Sequence, residues 1–224
     1  MPGKKLLVLD LDGTLIPFDF FLDSLKILSR LTLGTRTTSL LPVFQAFKPI
    51  MYRVFKIFVI ILAKILNMSI NHRKYLGFSI GASFYLTIIG LLLSDSDLRH
   101  YIDLGLLEGL YKRRDVWKIG LKLCNEQGVL CILVTGNSCE PLINRLGQII
   151  KLSYVFKSYV LRKGPFNFVY TIDKYAIAQT LRTTKNNAII ITDSIKDLEA
   201  FNYAQCKIWV RDNNLVKLCS KSCI

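Results

Sequence analysis

The chain has 224 residues, of which 30 are Lys or Arg and 16 are Asp or Glu, so its formal net charge at pH 7 is +14. With 51% hydrophobic residues and a mean hydropathy of +0.36, it is more apolar than basic nucleic-acid-binding proteins usually are, which favours an anionic membrane surface over nucleic acid as partner. The six cysteines lack paired metal-binding spacing and the two histidines lack nearby partners, so we expect reduced core thiols in a cytosolic domain and no zinc site.

The first predicted element is a buried strand over the apolar run 6–9, which leads directly into Asp10, Asp12 and Gly13. This run is too short for a secretory signal, so we expect this part of the chain to stay in the cytoplasm. Open α/β sheets bind ligands at the carboxyl ends of their strands. Residues i and i+2 of a strand face the same side, and Gly13 indicates a turn, so both carboxylates can point at one ligand. An ordinary Asp-Gly turn is the alternative interpretation.

The next segment, from Ser24 to Ser94, contains nine Lys or Arg residues and no Asp or Glu. Pro42 and Pro49 divide it, which predicts three or four helices rather than one. The run 75–94 carries no charge and approaches the roughly 20 residues that span a bilayer, but its glycines favour helices that lie on or dip into one leaflet. A soluble helical cap with a basic rim is the alternative. The candidates for headgroup contact are Arg36, Lys48, Arg53, Arg73 and Lys74.

Beyond residue 95 the chain alternates between predicted helices and predicted strands. Helices are predicted over 116–126, 140–147, 174–182 and 196–203, strands over 129–134, 188–191 and 207–210, and a hairpin over 154–161 and 166–171. Strands separated by helices are typical of a parallel sheet that is covered on both faces. We therefore predict an α/β fold with a Rossmann-like parallel sheet.

Three of the predicted strands end in polar residues that could meet at one edge of this sheet. The first strand is followed by Asp10 and Asp12, the second by the sequence Thr135-Gly136-Asn137, and the third by Asp193 and Asp197. Four carboxylates at one edge would repel one another unless a hard cation were bound, and oxygen ligands suit Mg²⁺. Helix N-capping is the alternative role for Thr135 and Asp193.

These motifs, in this order, resemble the four motifs of the haloacid dehalogenase superfamily of phosphohydrolases. They are the sequence DLDGT at residues 10–14, Thr135 at a strand end, Lys174, and TDSIKD at residues 192–197. The resemblance covers residues 1–22 and about 96–212. The chain differs from the superfamily's P-type ATPases, which have Lys at the position of Leu11 and Thr at that of Asp12. The resemblance therefore implies phosphate hydrolysis rather than ATP-driven ion pumping.

The resemblance also implies a role for each residue of the motifs. Asp10 would be the nucleophile that forms an aspartyl-phosphate, and Asp12 the acid for the leaving group and then the base for water. Thr135, Gly136 and Asn137 would bind the phosphoryl oxygens, and Lys174 would stabilise their charge, with Lys163 as a competitor for that role. The Mg²⁺ site would comprise Asp10, the backbone carbonyl of Asp12, Asp193 and Asp197.

The insertion between the first two motifs predicts a core at residues 1–22 and 96–224 and a basic, apolar helical cap at residues 23–95. It resembles the caps of phosphoserine phosphatases and of type C phosphatidylglycerophosphatases, and the absence of acids from Ser24 to Ser94 favours the lipid phosphatases. We therefore expect a phosphomonoesterase on the cytoplasmic face of the cytoplasmic membrane that acts on a lipid phosphate. A soluble phosphatase of a small metabolite and a non-catalytic membrane adaptor are the alternatives.

Overall fold

A computed structural model describes residues 5–17, 95–163, 166–183, 187–211 and 214–219, and the single residues Ile57, Ile61, Lys64, Ile65, Ser79 and Ser83. The chain forms two compact units. Unit 1 comprises Met1–Asp19, Ile102–Lys157 and Ile172–Ile224, and unit 2 comprises Phe20–Tyr101 and Ser158–Thr171. The domain boundaries given above stay a prediction, and the segment 158–171 groups with unit 2.

Most of the segment 24–94 and all five candidate headgroup residues lie outside the described residues; Ile57, Ile61, Lys64 and Ile65 are described and helical. The run 75–94 also lies outside them, apart from Ser79 and Ser83, which are helical. Among the helices that the structure describes, none combines the length and the apolar character that a bilayer crossing requires.

Unit 1 is built on a six-stranded sheet with the order β3-β2-β1-β6-β7-β8. Its strands are β1 Lys5–Leu9, β2 Val129–Thr135, β3 Tyr154–Lys157, β6 Asn187–Thr192, β7 Cys206–Arg211 and β8 Asn214–Cys219. All neighbours pair in parallel except β7 and β8, which are antiparallel. The predicted α/β fold with a Rossmann-like parallel sheet is confirmed, and the antiparallel edge strand β8 was not predicted.

The structure gives the bounds of five helices between residues 95 and 200. They are α1 Asp95–Lys112, α2 Arg114–Cys124, α3 Glu140–Ile149, α4 Lys174–Thr183 and α5 Ile195–Ala200. Local capping sets two of the starts that matter for the site. The Asp173 carboxylate accepts the backbone N–H groups of Tyr175 and Ala176 at 2.9 and 3.2 Å, and the Ser194 hydroxyl accepts that of Asp197. These caps fix Lys174 and Asp197 in the first turns of their helices.

The central strands are buried on both faces, which explains their continuous apolar sequence. Leu6 and Val8 of β1 belong to a buried cluster that also contains Ala178 of α4 and Leu198 of α5. Leu7 and Leu9 alternate with them along the strand and are fully buried as well. The strand that leads into Asp10 is therefore held rigidly from both sides.

The predicted hairpin differs from the observed one in its first arm. The run 154–161 divides at the buried Ser158, so that β3 joins the large sheet and the hairpin is formed by β4 Tyr159–Lys163 and β5 Phe166–Tyr170 in unit 2. The sequence did not show this division because the whole run is rich in β-branched and aromatic residues, which suit either partner.

Four cysteines are paired, contrary to the expectation of reduced thiols. Cys206 and Cys219 lie directly opposite each other on β7 and β8 with their Cα atoms 4.4 Å apart, and Cys124 is joined to Cys131 of β2. Sequence spacing did not predict the first pair because the pairing of β7 with the unpredicted β8 creates it. The Cys139 thiol is free and buried, and burial raises its pKa to about 11.

Candidate active site

The topology of the sheet places the ends of β1 and β6 at a reversal of strand order. From β1 the chain builds outward through β2 and β3 on one side, and then returns to add β6 and β7 on the other side of β1. Such a point between neighbouring parallel strands opens a crevice at their carboxyl ends, where ligands bind in open α/β sheets. Asp10 follows β1 and Asp193 follows β6, so both acids lie at this point.

A lysine at the start of α4 joins two carboxylates from different parts of the chain. The Lys174 ammonium lies 3.1 Å from Asp10 Oδ1 and 2.6 Å from Asp197 Oδ2. The side chains of the three residues are 23%, 10% and 11% exposed. The ion pairs are thus largely shielded from water and link the end of β1 to α4 and α5.

The last residue of β6, Thr192, lies between the same two acids. Its hydroxyl is 3.4 Å from Asp10 Oδ2 and 3.3 Å from Asp197 Oδ2, and it accepts the backbone N–H of Ser194 at 3.1 Å. A hydroxyl has one proton to donate, so it can serve only one carboxylate at a time. The other oxygen of Asp10 therefore has a weaker hydrogen-bond partner than the oxygen that Lys174 holds.

Burial and like charges shift the pKa of the nucleophile candidate upward. The pKa of Asp10 is raised to about 6, mainly by burial; Lys174 opposes the rise, and the carboxylates of Asp197 and Asp193 contribute to it. Burial by itself would lower the pKa of Lys174, but the attraction of Asp10 and Asp197 outweighs it and raises that pKa instead. At neutral pH the cluster therefore has a charged lysine and an ionised Asp10 whose charge is only partly compensated.

Asp193 is held against the loop that follows β1. Its backbone N–H donates to the Thr14 hydroxyl at 2.9 Å, the Thr14 hydroxyl lies 3.2 Å from Asp193 Oδ1, and its backbone carbonyl accepts the indole N–H of Trp209 at 3.0 Å. Gly13 has a positive φ of 76°, and a Cβ added there would lie 2.0 Å from Asp193 Oδ2. Asp193 thus lies beside the first motif, as the metal hypothesis requires.

We expect Gly13→Ala to destabilise unit 1, because a side chain would be strained at this φ and would collide with the Asp193 carboxylate. The expected loss in the free energy of unfolding is about 1–3 kcal/mol. Gly136→Ala is the matched control, because a Cβ at Gly136 would meet no described heavy atom within 4 Å. Urea unfolding of both variants measures the difference. Equal stability of the two would contradict the tight approach of Asp193 to Gly13.

Asp12 is oriented by the segment that follows β2. The side-chain amide of Asn137 donates to both oxygens of Asp12, at 3.1 and 3.3 Å, while its own oxygen accepts the backbone N–H of Cys139 at 2.8 Å. The Thr135 hydroxyl accepts the backbone N–H of Asn137 at 3.0 Å, and both side chains are fully buried. The observed contacts of Asn137 thus position Asp12, and its predicted binding of phosphate stays a prediction, as does that of Thr135 and Gly136.

The loop that carries Asp12 is fixed by contacts on its far side. The Leu11 carbonyl accepts the backbone N–H groups of Thr14, Leu15 and Ile16 at 2.9–3.2 Å, and the Leu15 carbonyl accepts the indole N–H of the buried Trp117 at 2.8 Å. Gly109 of α1 approaches so closely that an added Cβ would lie 2.4 Å from the Leu15 carbonyl oxygen. This packing pre-positions both acids of the first motif.

The donor chemistry of the site fits a hard divalent cation. Within the described part of the chain, no three acidic, cysteine or histidine side chains form a ready metal cluster. Asp10 nevertheless lies close enough to Asp193 and Asp197 for their charges to raise its pKa, and all the donors are oxygens, as Mg²⁺ prefers. A bound cation would relieve that repulsion, so the predicted Mg²⁺ ligands are chemically suitable.

Of the predicted site residues, the structure brings Asp10, Lys174 and Asp197 into direct contact. Lys174 is the lysine that contacts these acids among the described residues, whereas its competitor Lys163 lies in β4 of unit 2. Thr14 and Thr192 had no predicted role. Thr14 belongs to the first motif and Thr192 directly precedes Asp193. Their positions next to predicted acids could have indicated that they contact these acids.

Comparisons with known proteins add a shared fold. No family model and no curated protein matches the chain. A protein of unknown function from Bordetella pertussis Tohama I is 14% identical, with 92% of this chain and 90% of that chain covered and a TM-score of 0.51. A phosphoserine phosphatase with a phospho-aspartyl intermediate analogue is 15% identical, with 93% and 87% covered and a TM-score of 0.48. A substrate-bound phosphoserine phosphatase is 15% identical, with 92% of this chain and 86% of that chain covered and a TM-score of 0.47. At this identity, the likeness to the Bordetella protein concerns the fold.

Proposed function

We propose that the chain is a Mg²⁺-dependent phosphomonoesterase of the haloacid dehalogenase type that works through an aspartyl-phosphate. The observation that carries this proposal is the contact of Lys174 with Asp10 and Asp197 at the point where the strand order reverses. A phosphoryl group that enters this crevice would meet the buried carboxylate of Asp10, the partly buried ammonium of Lys174 and the oriented carboxylate of Asp12. These are a nucleophile, a charge stabiliser and a proton carrier, which phosphoryl transfer requires.

In the first step, a carboxylate oxygen of Asp10 attacks phosphorus and the bond to the ester oxygen breaks. The Asp12 carboxyl gives its proton to the departing alkoxide, so the leaving group departs as a neutral alcohol. The contact with Asn137 holds the Asp12 side chain in one orientation for this transfer. Lys174 stabilises the negative charge that remains on the phosphoryl oxygens.

In the second step, the roles reverse and water is consumed. The Asp12 carboxylate takes a proton from a water molecule, whose oxygen attacks the phosphorus of the aspartyl-phosphate. The bond between Asp10 and phosphorus breaks, and inorganic phosphate and the free carboxylate are produced. The rigid loop over Leu11 keeps Asp10 and Asp12 in place through both steps.

The predicted ligands Asp10, Asp193, Asp197 and the Asp12 carbonyl would hold Mg²⁺. When bound, Mg²⁺ would neutralise charge on the non-bridging oxygens of the phosphoryl group. Asp193 is prepared for this role by its anchoring to Thr14 and Trp209, which leaves the orientation of its carboxylate well defined.

The basic charge and the exposed apolar side chains of the segment 24–94 favour a lipid phosphate in an anionic membrane as the substrate. In the segment 24–94, which has nine basic residues and no acid, Ile57, Ile61 and Ile65 are helical and 58%, 51% and 72% exposed, with an exposed Lys64 beside them. Residues four apart within a helix share one face. An exposed isoleucine stripe with an adjacent lysine suits the boundary of an anionic leaflet. We place the enzyme on the cytoplasmic face of that membrane, with a lipid such as phosphatidylglycerophosphate as substrate.

Phosphate release from a panel of substrates tests the proposal. The panel comprises an aryl phosphate, phosphoserine and phosphatidylglycerophosphate in liposomes, each with Mg²⁺ and with EDTA. We expect phosphate release to require Mg²⁺ for every substrate that reacts, and the lipid to have the highest kcat/KM. A preference for phosphoserine would replace the lipid by a soluble metabolite. Failure of every substrate to react with Mg²⁺ would overturn the enzymatic proposal and favour a membrane adaptor.

A further inference from the structure

The β4–β5 hairpin of unit 2 exposes a face of large apolar side chains. Tyr159 and Leu161 of β4 lie directly opposite Tyr170 and Phe168 of β5, so all four side chains are on the same face. They are 66%, 53%, 58% and 45% exposed, respectively. We call these four residues the hairpin face.

The opposite side of the hairpin is held within unit 2. Val169, which alternates with the residues of the hairpin face, is only 3% exposed, and its backbone N–H donates to the Ser83 hydroxyl. The Thr171 hydroxyl lies 3.1 Å from the Ser79 hydroxyl. Since the hairpin is fixed through its inner side, the hairpin face has a defined outward orientation and is not a frayed end.

The charges around the hairpin face have one sign. The segment Ser158–Thr171 contains Arg162 and Lys163 and no acid, and Lys163 is exposed on the same side of β4 as Leu161. Unit 2 as a whole contains twelve Lys or Arg residues and three Asp residues, which gives a formal charge of +9. A second copy of this unit would be repelled by that charge, whereas an anionic surface would be attracted.

We propose that the hairpin face is a docking surface for an anionic phospholipid bilayer. Leu161 and Phe168 would enter the boundary between headgroups and acyl chains. Tyr159 and Tyr170 would keep their hydroxyls at headgroup level, as tyrosines at membrane interfaces do. Lys163 would bind lipid phosphates. The inference deepens the proposed function and rests on it in one respect, that the substrate is held in a membrane. It adds a second docking element to the isoleucine stripe.

Cosedimentation of the full chain with vesicles tests this surface. The vesicles are phosphatidylcholine alone and phosphatidylcholine mixed with phosphatidylglycerol. The variant Tyr159→Ser/Leu161→Ser removes half of the hairpin face. The matched control Tyr154→Ser/Leu218→Ser changes the same residue types on exposed strand positions of unit 1, which are 59% and 52% exposed. We expect binding of the wild type to the anionic vesicles only, with the hairpin variant on the order of tenfold weaker and the control unchanged. Equal binding of the two variants would overturn the proposal.

A tryptophan reporter gives a second measurement, which detects whether the hairpin face itself enters the bilayer. Leu161→Trp should shift its fluorescence to the blue when anionic vesicles are added, and Leu218→Trp should not. A blue shift of Leu161→Trp with protein concentration and without vesicles would indicate a second copy as the occupant and would overturn the proposal, as would the absence of any shift with vesicles.

Hydrolysis of a water-soluble aryl phosphate separates the two proposals. If the wild type and both double variants hydrolyse it in the presence of Mg²⁺, but the two variants bind vesicles equally, the docking proposal alone is rejected. If the wild type hydrolyses no phosphomonoester of the panel, but the hairpin variant loses vesicle binding as expected, the enzymatic proposal alone is rejected.

Discussion

Asp10→Asn is expected to lower Mg²⁺-dependent phosphate release by at least about 10³-fold, because an amide oxygen cannot replace the attacking carboxylate. The effect should appear in kcat for every substrate of the panel, since the nucleophile is common to all. Asp103→Asn is a suitable control because Asp103 is a half-exposed acid in unit 1 that pairs with Arg145 at 3.0 Å, away from the cluster. Activity that survives in the Asp10 variant would remove this residue as the nucleophile.

The same substitution should not weaken the fold, and the sign of this effect follows from the pKa. The pKa of Asp10 is about 6 in the folded protein against an ordinary value of 3.8, so folding favours the neutral form. Stability from this group is therefore complete below about pH 3.8 and is lost as the pH rises through about 6. In EDTA at pH 8, Asp10→Asn should unfold at the same temperature as the wild type or higher. A clearly lower unfolding temperature would contradict this sign.

Added Mg²⁺ gives a readout of the metal hypothesis that is independent of turnover. If Asp10 is a ligand, Mg²⁺ should raise the unfolding temperature of the wild type more than that of the variant, because ligand binding to the folded state stabilises it. Equal shifts would remove Asp10 from the ligand set while leaving its role as a nucleophile open to the activity assay.

The sequence predicted the parts of the site that depend on the order of elements along the chain. An apolar run followed by Asp10 and a later one followed by Asp193 sufficed to place two acids at the ends of buried strands. Because parallel strands share one carboxyl edge, their proximity followed once a parallel sheet was predicted. Lys174 was placed at a helix start by the pattern that follows the hairpin, and this start brings its ammonium to both acids.

The features that the sequence did not predict depend on contacts between distant segments. The contact of Asn137 with Asp12, 125 positions away, was not predicted. The unpredicted strand β8 aligns Cys219 with Cys206, and the run 154–161 divides between two sheets. In each case the local sequence suits several partners, and only tertiary pairing selects one of them.

These contacts also assign Lys174 two roles that can be measured separately. Its ammonium neutralises Asp10 and Asp197 in the folded protein, and it would neutralise a phosphoryl group during turnover. Lys174 is largely buried, and the two acids around it raise its pKa although burial alone would lower it. A solvated surface lysine would have neither property. We therefore expect removal of Lys174 to lower both the stability and the rate.

Lys174→Met is accordingly expected to lower the rate by about 10²–10³-fold and the free energy of unfolding at pH 8 by about 3–5 kcal/mol. The loss of stability arises because two buried carboxylates would remain without their cation. Adding Asp197→Asn should restore part of the stability, since one of these charges is removed, but not the rate. Lys196→Met, on the exposed side of α5, is the control and should change neither quantity. Urea unfolding and aryl phosphate hydrolysis measure the two effects. A Lys174 variant whose stability is not improved by Asp197→Asn would show that the ion pairs do not govern the fold at this site.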